Sequence, residues 1–192
     1  TFWGNHRLLV AVMDIAKRVM TMSDDDSYGY SNEQESVLEM MEAVLLSNPS
    51  GSASEGMQQV VQMFVGLTMS KVAEEKCDTN TMTILHLEVV LAGLIADASS
   101  VVSLLEAHNW SEVFVAKLAL LGEKFTRVHD KRLVIAGISS ILNKIKLSDL
   151  PATLQRNTHT LLSVYADAIH TLPKAMAARK KLQDEAENES DQ

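Results

Sequence analysis

Six histidines, one cysteine and an acidic loop are the parts of this 192-residue sequence whose types and spacing could do chemistry. His6, His86, His108, His129, His159 and His170 include no pair at the i, i+4 spacing by which one helix presents two imidazoles to a zinc ion. His159 and His170 fall on one helix face, but a rise of ~1.5 Å per residue sets them about 16 Å apart, too far for one metal. Cys77 is the only cysteine, which excludes an internal disulfide framework and a cysteine-based zinc finger. It would act as a nucleophile only with a base brought close in space, and it reads as a plain thiol near a helix end.

Asp24 to Glu35 partly matches a calcium-binding EF-hand loop. Such a loop places oxygen ligands at alternate positions, glycine sixth and glutamate twelfth. Counted from Asp24, Asp26 is third, Tyr28 fifth, Gly29 sixth and Glu35 twelfth. Tyr28 is a poor ligand where Asp or Asn is usual, Ser31 and Gln34 form a helix capping box inside the same window, and the chain has no second such loop. Asp24, Asp25 and Asp26 therefore read as a solvated loop, and functionally as a docking patch for a basic protein rather than a metal site. Asp184, Glu185 and Glu187, after the basic cluster Lys174, Arg179, Lys180 and Lys181, form a second acidic patch of the same kind. No Gly-rich phosphate loop and no Gly-x-Ser-x-Gly elbow occur, so the sequence offers no catalytic, metal or cofactor constellation.

The elements that must carry these residues are helices. Only 8 glycines and 3 prolines occur in 192 residues, below the usual ~7% and ~5%, which disfavours a turn-rich all-β fold. The hydrophobic share of 46% is that of a globular chain. A net charge of −8 argues against general nucleic-acid binding and toward basic partners. The most apolar stretch, Ile84 to Ala96, is interrupted by His86 and Glu88 and is shorter than the ~18 residues a membrane span needs.

Apolar residues recur at three- and four-residue spacing nearly throughout. Leu9, Val12, Met13, Ala16, Val19 and Met20 make the first stripe. Val37, Met40, Met41, Val44 and Leu45 make the second, and Val60, Met63, Phe64, Leu67 and Val72 the third. Asp78, Thr79 and Asn80 offer caps for a helix over Ile84 to Ile95, followed by a short segment with Val101, Val102, Leu104 and Leu105. Ser111 is read as the cap of a helix bearing Phe114, Leu118 and Leu121. His129 to Arg132 opens a helix over Leu133 to Ile145, in which Asp130 caps an orphan N–H. Leu154 to Leu172 forms the last stripe, which Pro173 is expected to kink or interrupt.

These helices fall into pairs starting near Asn5, Ser54, Ser99 and Ser148, a step close to the ~40–47 residues of HEAT and armadillo repeats. The fold class expected is all-α: an α-solenoid of antiparallel helix hairpins, HEAT-like, with a compact helical bundle as the competing architecture. The domain reading is a segment of about four helix pairs over 1–183, then the start of an acidic tail over 184–192. The sequence reads as a piece of a longer chain.

The stretch His129-Asp130-Lys131-Arg132-Leu133-Val134-Ile135-Ala136-Gly137-Ile138 resembles a helix start near the C-terminal end of importin-beta-type karyopherins of the importin-seven and importin-eight branch. Leu87 to Leu94 is similar to the family's preceding helix, and Asp149-Leu150-Pro151 to Leu172-Pro173 to the long helix after it. The acidic run Asp184 to Asp191 resembles the segment that follows, and Asp14 to Val19 an upstream repeat. The loop Asp24 to Tyr30 departs from the family pattern. The resemblance implies a nuclear import receptor, not an enzyme. Its cargo would be protein, and basic. GTP-bound Ran would release that cargo by acting on N-terminal repeats outside this sequence. Nucleoporins would be further partners, and the receptor would shuttle between cytoplasm and nucleus without cofactor, membrane or direct nucleic-acid contact. A helical-repeat scaffold or regulatory subunit unrelated to transport is the alternative.

Overall fold

The computed structural model describes residues 5–22, 31–47 and 55–190. Among the described residues lie eight α-helices and no strand. They are α1 (His6–Thr21), α2 (Ser31–Leu46), α3 (Glu55–Ala73), α4 (Asn80–Ala107), α5 (Ser111–Leu121), α6 (Val128–Lys144), α7 (Ala152–Arg156) and α8 (Thr158–Ser190). The all-helical class holds. The loop Asp24 to Tyr30 and the connector Asn48 to Ser52 fall outside the described residues.

Local chemistry sets most boundaries. Asn5 Oδ1 accepts from the Leu8 N–H at 3.2 Å and Thr79 Oγ1 from the Met82 N–H at 3.1 Å, so both cap their helices. Asn109 stops α4 in the left-handed region at φ 57, where the N–H groups of Asn109 and Trp110 close back on the carbonyls of Glu106 and Leu105. Contrary to the expectation from sequence, Ser111 does not cap α5. Its hydroxyl instead donates to Glu106 Oε2 at 2.9 Å, tying α5 to the end of α4.

Two stretches differ from the sequence reading in length. The helix over Ile84 to Ile95 and the segment after it are one element, α4, bent at Asp97, whose φ −150 and ψ 86 are not helical. Asp97 is both the bend and its repair. Its carboxylate accepts from the Ser100 N–H at 3.1 Å and the Ser100 hydroxyl at 2.6 Å, acting as a cap for residues 98–107. On the other side of the bend Lys144 donates to the Ile95 carbonyl at 3.0 Å. No helix accordingly begins near Ser99, and the next one, α5, starts at Ser111. Pro173 does not interrupt its helix: α8 runs through it to Ser190, so the acidic residues 184–190 continue a helix. The predicted last stripe divides earlier, where α7 ends at Arg156.

The core gathers on α4. Every residue from Met82 to Leu94 is buried, more than three helical turns, so no face of this part is left to solvent. It packs on α3, α2, α6 and α5. Because the bend joins two apolar segments, α4 has an 18-residue window of mean hydropathy 1.8, long and apolar enough to cross a membrane; 67% of that window is buried inside the protein. Its neighbours approach closely at two glycines. A Cβ built on Gly93 would lie 2.7 Å from Val65 Cγ2 of α3, and one on Gly137 of α6 would lie 2.9 Å from Leu91 Cδ2 and 3.2 Å from the Leu91 carbonyl oxygen.

Replacing Gly137 with alanine is expected to destabilise the protein by about 1–3 kcal/mol. The overpacking against backbone exceeds the ~1 kcal/mol gained in helix propensity. Gly66→Ala, where nothing lies within 4 Å of the new Cβ, should stabilise by up to ~1 kcal/mol. Urea unfolding of the two variants checks the opposite signs.

Candidate functional site

The polar groups that the core cannot avoid converge where α4 meets the start of α6. Glu88 is the one acidic side chain in the fully buried stretch of α4 and is 1% exposed; Asp130, in the first turn of α6, is 2% exposed. Arg127, the residue before α6, reaches both. Its Nη2 donates to the two Glu88 carboxylate oxygens at 2.9 and 3.0 Å, and its Nε to Asp130 Oδ1 at 2.6 Å. The Arg127 backbone N–H donates to Asp130 Oδ2 at 3.0 Å. Asp130 thus caps α6 as its sequence position implies, and the same carboxylate also fixes the arginine that clamps α4.

Burial pushes the Glu88 carboxyl up to about 8, and the neighbouring Asp130 adds to this by hydrogen bond and by repulsion; Arg127 opposes the shift. The arginine loses because its own side chain is 55% exposed and solvent screens it. The Arg127 guanidinium is itself held above its ordinary value by Glu88 and Asp130, against its desolvation.

A groove of about 290 Å3 opens beside this cluster, lined by Glu35, Glu39, Thr81, Lys124, Thr126, Arg127 and Asp130 among others. A carboxyl near neutral pKa next to a groove resembles a general acid in outline. The geometry points elsewhere: Glu88 does not line the groove, and the oxygens of both carboxyl groups are engaged by Arg127. The arrangement holds two helices together.

Further polar contacts span the same helices. His129 Nε2 lies 2.5 Å from Glu42 Oε1, joining α6 to α2. Lys131 is buried, and its ammonium donates to Thr171 Oγ1 of α8 at 2.7 Å. Three successive residues of α6, His129 to Lys131, therefore reach toward three different helices. His86 is buried with Nδ1 2.7 Å from the Met82 carbonyl, so Nδ1 carries the proton, and its Nε2 has no partner. Burial lowers its pKa and keeps the ring neutral. Burial raises the Cys77 thiol, leaving it protonated at neutral pH and unactivated. Among the described residues no group of three His, Cys, Asp or Glu is placed to hold a metal.

Of the acidic residues singled out from sequence, Asp24, Asp25 and Asp26 lie outside the described residues. Asp184, Glu185 and Glu187 are exposed on the last turns of α8, with Glu185 Oε1 3.7 Å from the Lys181 ammonium. Sequence reasoning did not single out Glu88 or Arg127 as a pair. A signal was present: a lone glutamate inside an apolar run demands a buried partner. Nothing local names that partner, 39 residues away.

Glu88 carries a usual carboxyl pKa when unfolded and one near 8 when folded. Between those values the folded state holds a proton that the unfolded state has released. Stability from this group is full below about pH 4.5 and is lost as pH rises through about 8. Glu88→Gln should flatten that fall and be the more stable protein at pH 8, by at least about 1 kcal/mol. Arg127→Met should cost about 2 kcal/mol at pH 8, less than a fully buried pair because the arginine is half in solvent, and less again at pH 5. Urea titrations at both pH values check this; parallel pH profiles for wild type and Glu88→Gln would refute it.

Compared with known proteins, the chain matches no family model, no curated protein and no solved structure.

Proposed function

We propose that this chain is a protein-binding helical-repeat segment, the C-terminal, cargo-side part of an importin-beta-type nuclear import receptor. The observation that supports it is the order of packing. α2 packs on α4, α4 on α6 and α6 on α8, while α1 packs on α3, α3 on α5 and α5 on α7. If the hairpins are α1–α2, α3–α4, α5–α6 and α7–α8, every extensive helix–helix contact joins one hairpin to itself or to the next. A HEAT-like solenoid has that nearest-neighbour order, and a bundle closed around one axis has no need of it. The resemblance of His129 to Ile138 and its flanking helices then selects the karyopherin branch among solenoids.

In this reading the exposed acidic end of α8 and the Asp24–Asp26 loop attract basic cargo. The attraction should weaken with salt, as exposed charges do. Ran acts through repeats N-terminal to this segment, nucleoporins bind the receptor elsewhere, and the receptor shuttles between cytoplasm and nucleus. No chemical step is involved.

The test is capture of nuclear proteins on the parent receptor with and without GTP-locked Ran, read by mass spectrometry. Basic proteins should bind and Ran should release them. The triple variant Asp184→Lys, Glu185→Lys, Glu187→Lys should lose part of that binding, by a few-fold, with unchanged helix content. Capture of the same partners regardless of Ran would make the protein a scaffold unrelated to transport.

A further inference from the structure

The C-terminal half of α8 leaves the body of the protein. From Met176 to Glu187 every residue is exposed, including Met176 at 47% and Leu182 at 67%. As it departs, α8 forms a groove of about 430 Å3 with the start of α6. Val128, Met176 and Ala177 supply its apolar floor, and Arg132, Arg179 and Lys180 its rim. On α8 the contributing residues Met176, Arg179, Lys180 and Gln183 recur at i, i+3, i+4 and i+7, so one helix face makes that wall. None of Arg132, Arg179 and Lys180 has an ion pair among the described residues; the nearby Lys181 is the one matched to Glu185.

We infer that this groove docks an acidic amphipathic peptide segment of a partner protein, seating an aliphatic side chain between Val128 and Met176 and carboxylates on Arg132, Arg179 and Lys180. Charge complementarity selects the occupant. On a chain of net charge −8, three unmatched cations around an apolar floor are a local reversal of sign. Such a reversal steers an anionic ligand that also has apolar surface to bury. A nucleic acid fits less well. Three cations against a net negative chain give little counterion release, and the floor has no aromatic side chain on which a base could stack. Covering the groove would also hold a helical segment that has little packing of its own. The inference is separate from the transport reading, which concerns basic cargo and the acidic end of α8.

The experiment is fluorescence anisotropy on the intact chain with a dye-labelled 15-residue peptide of glutamate carrying leucine at every third and fourth position. Binding in the micromolar range is expected. It should weaken at least about fivefold for the double variant Arg132→Glu, Arg179→Glu, and about threefold for Met176→Ser. All three positions are exposed, so circular dichroism melts should match wild type; the milder pair Arg132→Gln, Arg179→Gln serves if the first melts early. Equal affinity for a polyglutamate peptide without leucine, or for a 15-nucleotide RNA, would overturn the inference by showing bare polyanion attraction. So would an affinity that the charge variants leave unchanged, absence of binding, or a dimer in sedimentation that the same variants dissolve, which would make a second copy the occupant.

Discussion

The structure depends on enclosing one helix. From Met82 to Leu94 the side chains of α4 are all buried, and a helix with no polar face is stable in water only when its whole circumference is covered. That single requirement explains why α2, α3, α5 and α6 all pack against it. It also explains why the two closest approaches fall at Gly93, toward α3, and at Gly137, toward α6. Covering a cylinder of about 10–12 Å diameter on all sides brings neighbouring backbones close, and the absence of a Cβ sets how close.

Enclosure creates an electrostatic problem, because α4 carries Glu88 and His86 in its fully buried part. The two are handled differently. His86 is kept neutral by burial and donates from Nδ1 to the Met82 carbonyl of its own helix. Glu88 takes a partner from outside, and Arg127 is placed by the Asp130 cap that starts α6. A helix cap, worth ~0.5–2 kcal/mol on its own, thereby also positions the guanidinium that makes Glu88 tolerable. The stretch His129 to Arg132 repeats this economy at successive positions, with Asp130 facing the clamp, Lys131 facing α8 and His129 facing α2.

Much of this was legible before the structure. The stripes of α1, α2 and α3 and the start of α4 at Thr79 follow from periodicity and capping, because both are local properties of the chain. So does the role of Asp130. What was not legible is what depends on distant neighbours. The bend at Asp97 looked like a break between two helices, since an Asp-Ala-Ser-Ser run favours a cap; only the packing of both halves on one core makes them a single bent element. Ser111 has the chemistry of a cap, but its hydroxyl is turned to donate to Glu106 at the end of α4. Pro173 is expected from sequence to kink or interrupt its helix, since a proline costs one hydrogen bond and a steric clash, roughly 3 kcal/mol, yet α8 continues past it. Glu88 announced the need for a partner, and Arg127 could be identified only once α4 and α6 were side by side.

The same contrast bears on function. Glu88 of α4 and His129, Asp130 and Lys131 at the start of α6 are held in contacts that fix one helix against another, so these residues are occupied by the fold. Exposed charges lie at the periphery: the cations Arg132, Arg179 and Lys180 where α8 departs from α6, and carboxylates on the last exposed turns of α8. The buried Glu88 and Asp130 carboxyl groups are both held by Arg127 at the junction of α4 and α6. A protein that worked by contact would need what α8 supplies, an exposed helix half whose apolar and charged side chains are not consumed by its own core. The binding proposed for this chain therefore draws on side chains at the end of the molecule where α8 projects, which the core leaves exposed.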